Sequence, residues 1–301
     1  MLHKILYYPA FAAWWLASLL PMRVLYVVSD ILYWLIYHLF RYRRRIVFHN
    51  ISSAFPELSA AEHHRIERSF YRFFGDYLME TVKYFSMGER QIRRRMTFGG
   101  LAQLQEDLKH RDCIVYMGHV GNWEWVTSLP LYLDASVVAG QIYHALENRV
   151  ADRLFLRMRE RFRAVSIEMQ GALRPLVRYK QQHTRFIVGF ITDQSPNWPY
   201  VKMWTEFLHH KSAFFTGAES IAKATDAVVY YLDMHRVKRG YYHADFVRMS
   251  DTPNQTAADY ELTVDYARRL EQTIRRDPAC WLWSHNRWKR TYEQYVERQK
   301  G

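Results

Sequence analysis

The chain has 301 residues, enough for one large buried core or two small ones, and 49% of them are hydrophobic. A formal net charge of +12 with 16% aromatic residues points to an anionic partner: nucleic acid, an acidic protein or an anionic membrane face. Nucleic acid is the weakest of the three, because no zinc-finger, RNP or glycine-clamp signature is present, and two isolated cysteines, Cys113 and Cys280, exclude a disulfide framework and read as buried thiols in a reducing compartment.

Ile5 to Met22 carries no charge and is rich in Trp, Tyr and Leu, at the lower edge of membrane-spanning length. A second apolar run, Val24 to Phe40, is broken by Asp30 and followed by the basic cluster Arg41-Tyr-Arg-Arg-Arg45. Flanking aromatic and basic anchors favour membrane attachment for residues 1–45 over a pair of core helices. They leave open whether the segment spans the bilayer or lies in its interface. A signal peptide fits poorly, since no small-residue cleavage site follows.

After the connector Asn50–Ser59, Ser59 and Glu62 form a capping box for a helix over Ala60 to Phe85. His63-His64 on that helix reads as solvated face, because adjacent helical residues diverge by about 100° and no third ligand is in register. Helices are predicted over Glu89–Met96 and Leu101–His110. Cys113 to Met117 is a short apolar strand ending in Gly118-His119-Val-Gly-Asn122-Trp-Glu124, where Asn122 reads as the cap of a helix running to Leu129 and stopped by Pro130. Beyond it come a strand over Ala135–Tyr143 and a basic helix over Asn148–Phe162. Arg149, Arg153, Arg157 and Arg161 share one face of that helix, which reads as mostly solvated. A short strand over Ala164–Met169 and a helix over Gly171–Gln182 lead to a second buried strand, ending at Thr192-Asp193-Gln194. A hairpin follows, Val228–Met234 with Tyr241–Met249 across Lys238-Arg-Gly240. A long amphipathic helix over Gln255–Arg276 precedes the closing segment, whose Trp281, Trp283 and Trp288 form either an interfacial rim or the edge of an aromatic core. With no repeat or flexible linker, residues 46–301 make one α/β domain, a mixed sheet flanked by helices, behind hydrophobic N-terminal helices.

His119 and Glu124 stand five residues apart at the carboxyl end of a strand, where open α/β sheets keep their chemistry. An imidazole beside a carboxylate can act as a general base, with Glu124 accepting from one ring nitrogen and setting the tautomer of the other. No nucleophile elbow, Walker loop or H-E-x-x-H is present, so the imidazole would activate a substrate hydroxyl directly. From the pattern alone, a structural histidine remains the alternative.

Gly118-His119-Val-Gly-Asn122-Trp123-Glu124 resembles the H-x-x-x-x-[DE] block of glycerolipid-type acyltransferases, in the form found in bacterial lipid A biosynthesis acyltransferases. Asn50-Ile-Ser-Ser-Ala-Phe-Pro-Glu57, Phe74-Gly-Asp-Tyr77, Thr192-Asp193-Gln194 and Trp281-Leu-Trp-Ser-His285-Asn-Arg287-Trp-Lys289 resemble further blocks of that family in the same order. The resemblance implies that His119 and Glu124 form a catalytic dyad. It also implies that Arg159 and Asp193, with Asn122 of the dyad block counted beside them, bind substrate or stabilise an oxyanion. In physical terms a carboxylate at the end of the second strand, Asp193, can orient Arg159, with a helix cap or buried acceptor as the alternative. It implies O-acylation of a lipid A precursor from an acyl carrier protein thioester, no cofactor or metal, and a bacterial inner-membrane location with the catalytic domain on the cytoplasmic face. The loop Ser195–Trp204 and His144–Asn148 depart from the family pattern, which leaves another lipid acceptor as the alternative; a non-catalytic membrane-associated binding protein is a further one, disfavoured by the retention of both His119 and Glu124.

Overall fold

The computed structural model describes residues 2–300. Helix α1 (Leu2–Leu19) and helix α2 (Met22–Trp34) are separated by Pro21, which cannot continue a helix from the preceding turn, and α2 widens into a π turn over Leu35–Leu39. Helix α3 (Arg44–Ala54) leads to α4 (Ala60–Tyr84), which opens on the expected capping box: the Ser59 hydroxyl receives the Glu62 N–H while the Glu62 carboxylate receives the Ser59 N–H. Helix α5 (Glu89–Arg95) runs into strand β1 (Met96–Gly99), too short to register as a strand in the sequence pattern, and then α6 (Leu101–His110).

The central strands follow: β2 (Cys113–Met117), β3 (Val138–Tyr143), helix α7 (Arg149–Arg159), β4 (Val165–Glu168), helix α8 (Leu173–Gln181) and β5 (Phe186–Ile191). A small hairpin of β6 (Trp204–Phe207) and β7 (His210–Ala213) precedes helix α9 (Gly217–Thr225). The predicted hairpin is present as β8 (Val228–Lys238) and β9 (Tyr241–Ser250). Helix α10 (Glu261–Arg276) starts later than its amphipathic pattern implies, because Pro253 sits in a 3-10 turn and Tyr260 has a left-handed backbone. Helix α11 (Tyr292–Lys300) closes the chain.

Seven strands form one mixed sheet in the order β1-β9-β8-β2-β5-β3-β4, parallel except between β8 and β9. Central β2 is buried on both faces, as its unbroken apolar run requires. The parallel β2–β5 register pairs Cys113 with Ile187 and Met117 with Ile191, so both strands end side by side.

The N-terminal helices pack on the body through polar as well as apolar contacts. Met22, Leu25 and Ser29 form the buried face of α2, and the Ser29 hydroxyl donates to buried Asp76 at 2.7 Å. Arg239, at the β8–β9 turn, ties Asp76 to Asp30. The opposite face exposes Val27, Ile31 and Trp34, with Leu16, Leu39 and Phe40 nearby. Met22–Leu39 is long and apolar enough to cross a membrane by length and composition. Arg149, Arg153 and Arg157 of the arginine stripe stay at the surface while Arg161 is half-buried, yet Arg153 and Arg157 lie over the rings of Tyr7 and Phe11 in α1, so these two are packing groups and not merely solvated ones. On α4, His64 is surface-exposed as expected. His63 is buried instead, its Nε2 2.8 Å from the Phe55 carbonyl.

Candidate active site

His119 stands two residues beyond the end of β2, and Asp193 two residues beyond the end of β5. Carrying the β2–β5 register two residues further sets these positions directly opposite one another, about 5 Å apart across the strands. The Asp193 carboxylate takes the His119 ring at Nδ1, 2.6 Å away, and the His119 backbone N–H at 2.8 Å. The Trp281 indole N–H adds a third bond at 2.8 Å. Burial by itself would raise the carboxyl's pKa, but the His119 ring, the His119 N–H and the Trp281 indole outweigh it and hold Asp193 at about 2. An ionised carboxylate can only accept. Nδ1 therefore carries the proton, and the Nε2 lone pair is left free as a base. Gln194 Nε2 lies 3.5 Å from that nitrogen.

This overturns the expectation that Glu124 sets the tautomer, and the companion expectation that Asp193 orients Arg159. Glu124 is buried and grips Arg159 through both oxygens, at 2.7 and 2.6 Å. The physical reason is the turn between them. Trp123–Tyr132 is a 3-10 helix, with Pro130 inside it, that carries Glu124 toward the end of α7, while β5 brings a carboxylate straight to His119. Of the neighbouring arginines, Arg161 instead donates to the carbonyls of Tyr84 and Met87. Tyr77 is buried against Glu124, and burial first, then the Glu124 charge, raises its hydroxyl pKa well above the ordinary value. Its ring stacks on Trp123 at 4.2 Å, and Trp123 meets the His119 ring edge-on at 5.0 Å.

Asn122 is not the expected helix cap. Its side chain makes no cap bond; Nδ2 donates to Glu80 at 2.9 Å, and Oδ1 is buried without a partner. Glu80 also accepts from Tyr242 and, on its other oxygen, from Tyr26 of α2. Burial raises its pKa to about 7 against the pull of these donors. Sequence reasoning missed Glu80, because its spacing on α4 resembles any helix position.

The turn itself needs its glycines. Gly121 has φ +59°, and a Cβ there would meet Met234 Sδ at 2.6 Å, while one on Gly118 would meet Leu270 at 2.6 Å. The closing segment clamps this turn, with Gly121 N–H donating to the Cys280 carbonyl and Trp281 bridging Val120. Trp281 and Trp283 are buried, so they belong to the core and not to an interfacial rim. Burial lowers the His285 pKa to about 4, and its Nε2 receives the Ser195 N–H at 3.2 Å. Arg287 is fully buried and pulled down to about 10 by burial, against the attraction of Asp193.

The site is thus a strand-end imidazole held through Nδ1 by Asp193, five residues before a buried acid paired with Arg159. A family model described as bacterial lipid A biosynthesis acyltransferase matches residues 1–290. The chain belongs to that family. It is an acyltransferase of groups other than amino-acyl groups, and the resemblance carried by the five sequence blocks is borne out over nearly the whole chain. Comparison with curated proteins by sequence returned no match.

Proposed function

We propose that this acyltransferase moves a fatty acyl chain from an acyl carrier protein thioester to a hydroxyl of a lipid A precursor, with His119 as general base. The observation that carries the reading is the Asp193–His119 pair, which leaves Nε2 as the proton acceptor. Nε2 takes the proton of the lipid hydroxyl as its oxygen attacks the thioester carbonyl. Collapse of the tetrahedral intermediate breaks the C–S bond, and the imidazolium returns the proton to the departing thiolate. Asp193 is a positioning residue that also stabilises the imidazolium. Glu124 acts through Arg159: the pair anchors the Trp123–Tyr132 turn under the base, and the arginine's positive charge favours the developing oxyanion. Asn122 holds the same turn through Glu80, in place of a direct substrate contact.

Residues 1–45 are the membrane-attachment segment in this reading. Because α1 and α2 are pinned to α4, α7 and Arg239 on one side, they lie in the interface with Leu16, Val27, Ile31 and Trp34 toward the lipid. The exposed Arg41 and Arg45 meet an anionic surface, which fits the cytoplasmic face of a bacterial inner membrane. The test is acyl transfer by purified protein from acyl carrier protein to a lipid A precursor, read by mass spectrometry. One added chain is expected with the native protein and none with His119→Ala; normal turnover by the variant would remove His119 as the base.

A further inference from the structure

A cleft of about 600 Å³ opens between the loop after β5 and the C-terminal helix α11, lined by Trp198, Lys289, Arg290, Gln294, Glu297 and Arg298. Three of these six carry a positive charge and one is acidic, yet among the described residues no carboxylate forms an ion pair with Lys289, Arg290 or Arg298. Arg290 uses Nη2 to hold the Asn197 side chain at 2.7 Å, while its Nη1 is buried with no partner. The Lys289 ammonium is pulled below its ordinary pKa, by burial first and then by the neighbouring charges of Arg290 and Arg43. Like charges gathered without a counter-ion cost free energy in the empty state, and a bound anion removes that cost.

The shape of the cleft narrows the anion. Its volume suits a small headgroup and not the convex surface of an acidic protein, which needs a broad contact area. One wall is the Trp198 indole, with Arg298 and Arg290 placed 4.9 and 5.9 Å from its centre. An indole face packs against the C–H face of a sugar, and arginine forks match a phosphate. The wall is also joined to the candidate base. Gln194, beside His119 Nε2, immediately precedes the loop, and Trp198 is five residues beyond Asp193, at most about 17 Å along an extended chain.

We propose that this cleft binds the phosphorylated sugar headgroup of the acceptor lipid, holding it while the acceptor hydroxyl reaches His119. The proposal rests on the acyl-transfer reading for the identity of the acceptor, but not for the binding itself.

Titration calorimetry on the full-length protein in detergent tests it, using a phosphorylated disaccharide stripped of its acyl chains, the same disaccharide without phosphate, and inorganic phosphate. The phosphorylated sugar should bind best. Arg290→Gln and Arg298→Gln should each weaken it about tenfold to a hundredfold, the worth of a charge-assisted hydrogen bond. His119→Ala should bind it as the native protein does, so loss of catalysis and loss of this site are read separately. In turnover, the two arginine variants should raise KM for a phosphorylated acceptor with kcat retained, and circular dichroism confirms that they fold. Equal binding of the dephosphorylated sugar, or native affinity in folded arginine variants, overturns the proposal. So does inorganic phosphate binding as tightly as the sugar phosphate, or a KM effect confined to the acyl carrier protein.

Discussion

Asp193 and Glu80 are both buried carboxyls beside the same turn, and their surroundings drive them in opposite directions. Asp193 sits at about 2 because its donors and the His119 ring outweigh burial, whereas Glu80 rises to about 7 because burial outweighs its donors. The depressed group contributes stability that is present above the unfolded value of 3.8 and is lost as pH falls toward 2. The raised group contributes stability that is full below 4.5 and is lost as pH rises through about 7. Glu80→Gln should therefore gain melting temperature relative to the native chain between pH 5 and pH 8, measured by thermal denaturation at both. A constant difference across that range would mean that Glu80 titrates normally. Asp193→Asn should lower kcat by about 10²–10⁴, because the neutral amide no longer fixes the Nδ1 proton. KM should change little, while the melting temperature at neutral pH should fall, because the stability that the depressed carboxylate contributes above 3.8 is lost with it. Steady-state kinetics at a temperature where the variant is folded separates the loss of kcat from a loss of fold.

At the scale of elements, the site is a junction of segments far apart in the chain. The turn after β2 supplies the base, the loop after β5 its partner, α7 the arginine, and the segment after α10 the Trp281 clamp. Arg159 alone on α7 turns into the body, while Arg153 and Arg157 face α1. Removing Arg159 leaves Glu124 buried with an uncompensated charge, so Arg159→Ala should cost about 3–5 kcal/mol. Arg153→Ala, a change at the surface, should cost about 1 kcal/mol or less. Chemical denaturation of the two variants side by side checks the contrast, and equal losses would place Arg159 among the surface residues.

The whole molecule concentrates its apolar exposure on the outer face of α1 and α2, beside the basic Arg41–Arg45 cluster. Vesicle binding should accordingly have two components. Sedimentation with phosphatidylglycerol vesicles should weaken between 50 and 500 mM salt, as the screening length falls from roughly 14 Å to roughly 4 Å. A salt-resistant remainder should persist on neutral phosphatidylcholine vesicles, because burial of apolar surface is not screened. A chain without residues 1–45 that still sediments fully at high salt would assign attachment elsewhere.

Much of the local architecture is legible in the sequence because it depends on neighbours in the chain. The capping box at Ser59, the β8–β9 hairpin, the buried strands on either side of the motif and the family blocks all follow from short-range pattern. The role of Arg159 was accessible only as a position within a run of arginines. Which carboxylate meets His119 was not accessible at all. Glu124 is near in sequence, and spacing favoured it; Asp193 is near in space, because two parallel strands 74 residues apart share one register. Spacing along a chain sets which residues can share a turn, while the hydrogen-bonded ladder between strands decides which of them touch.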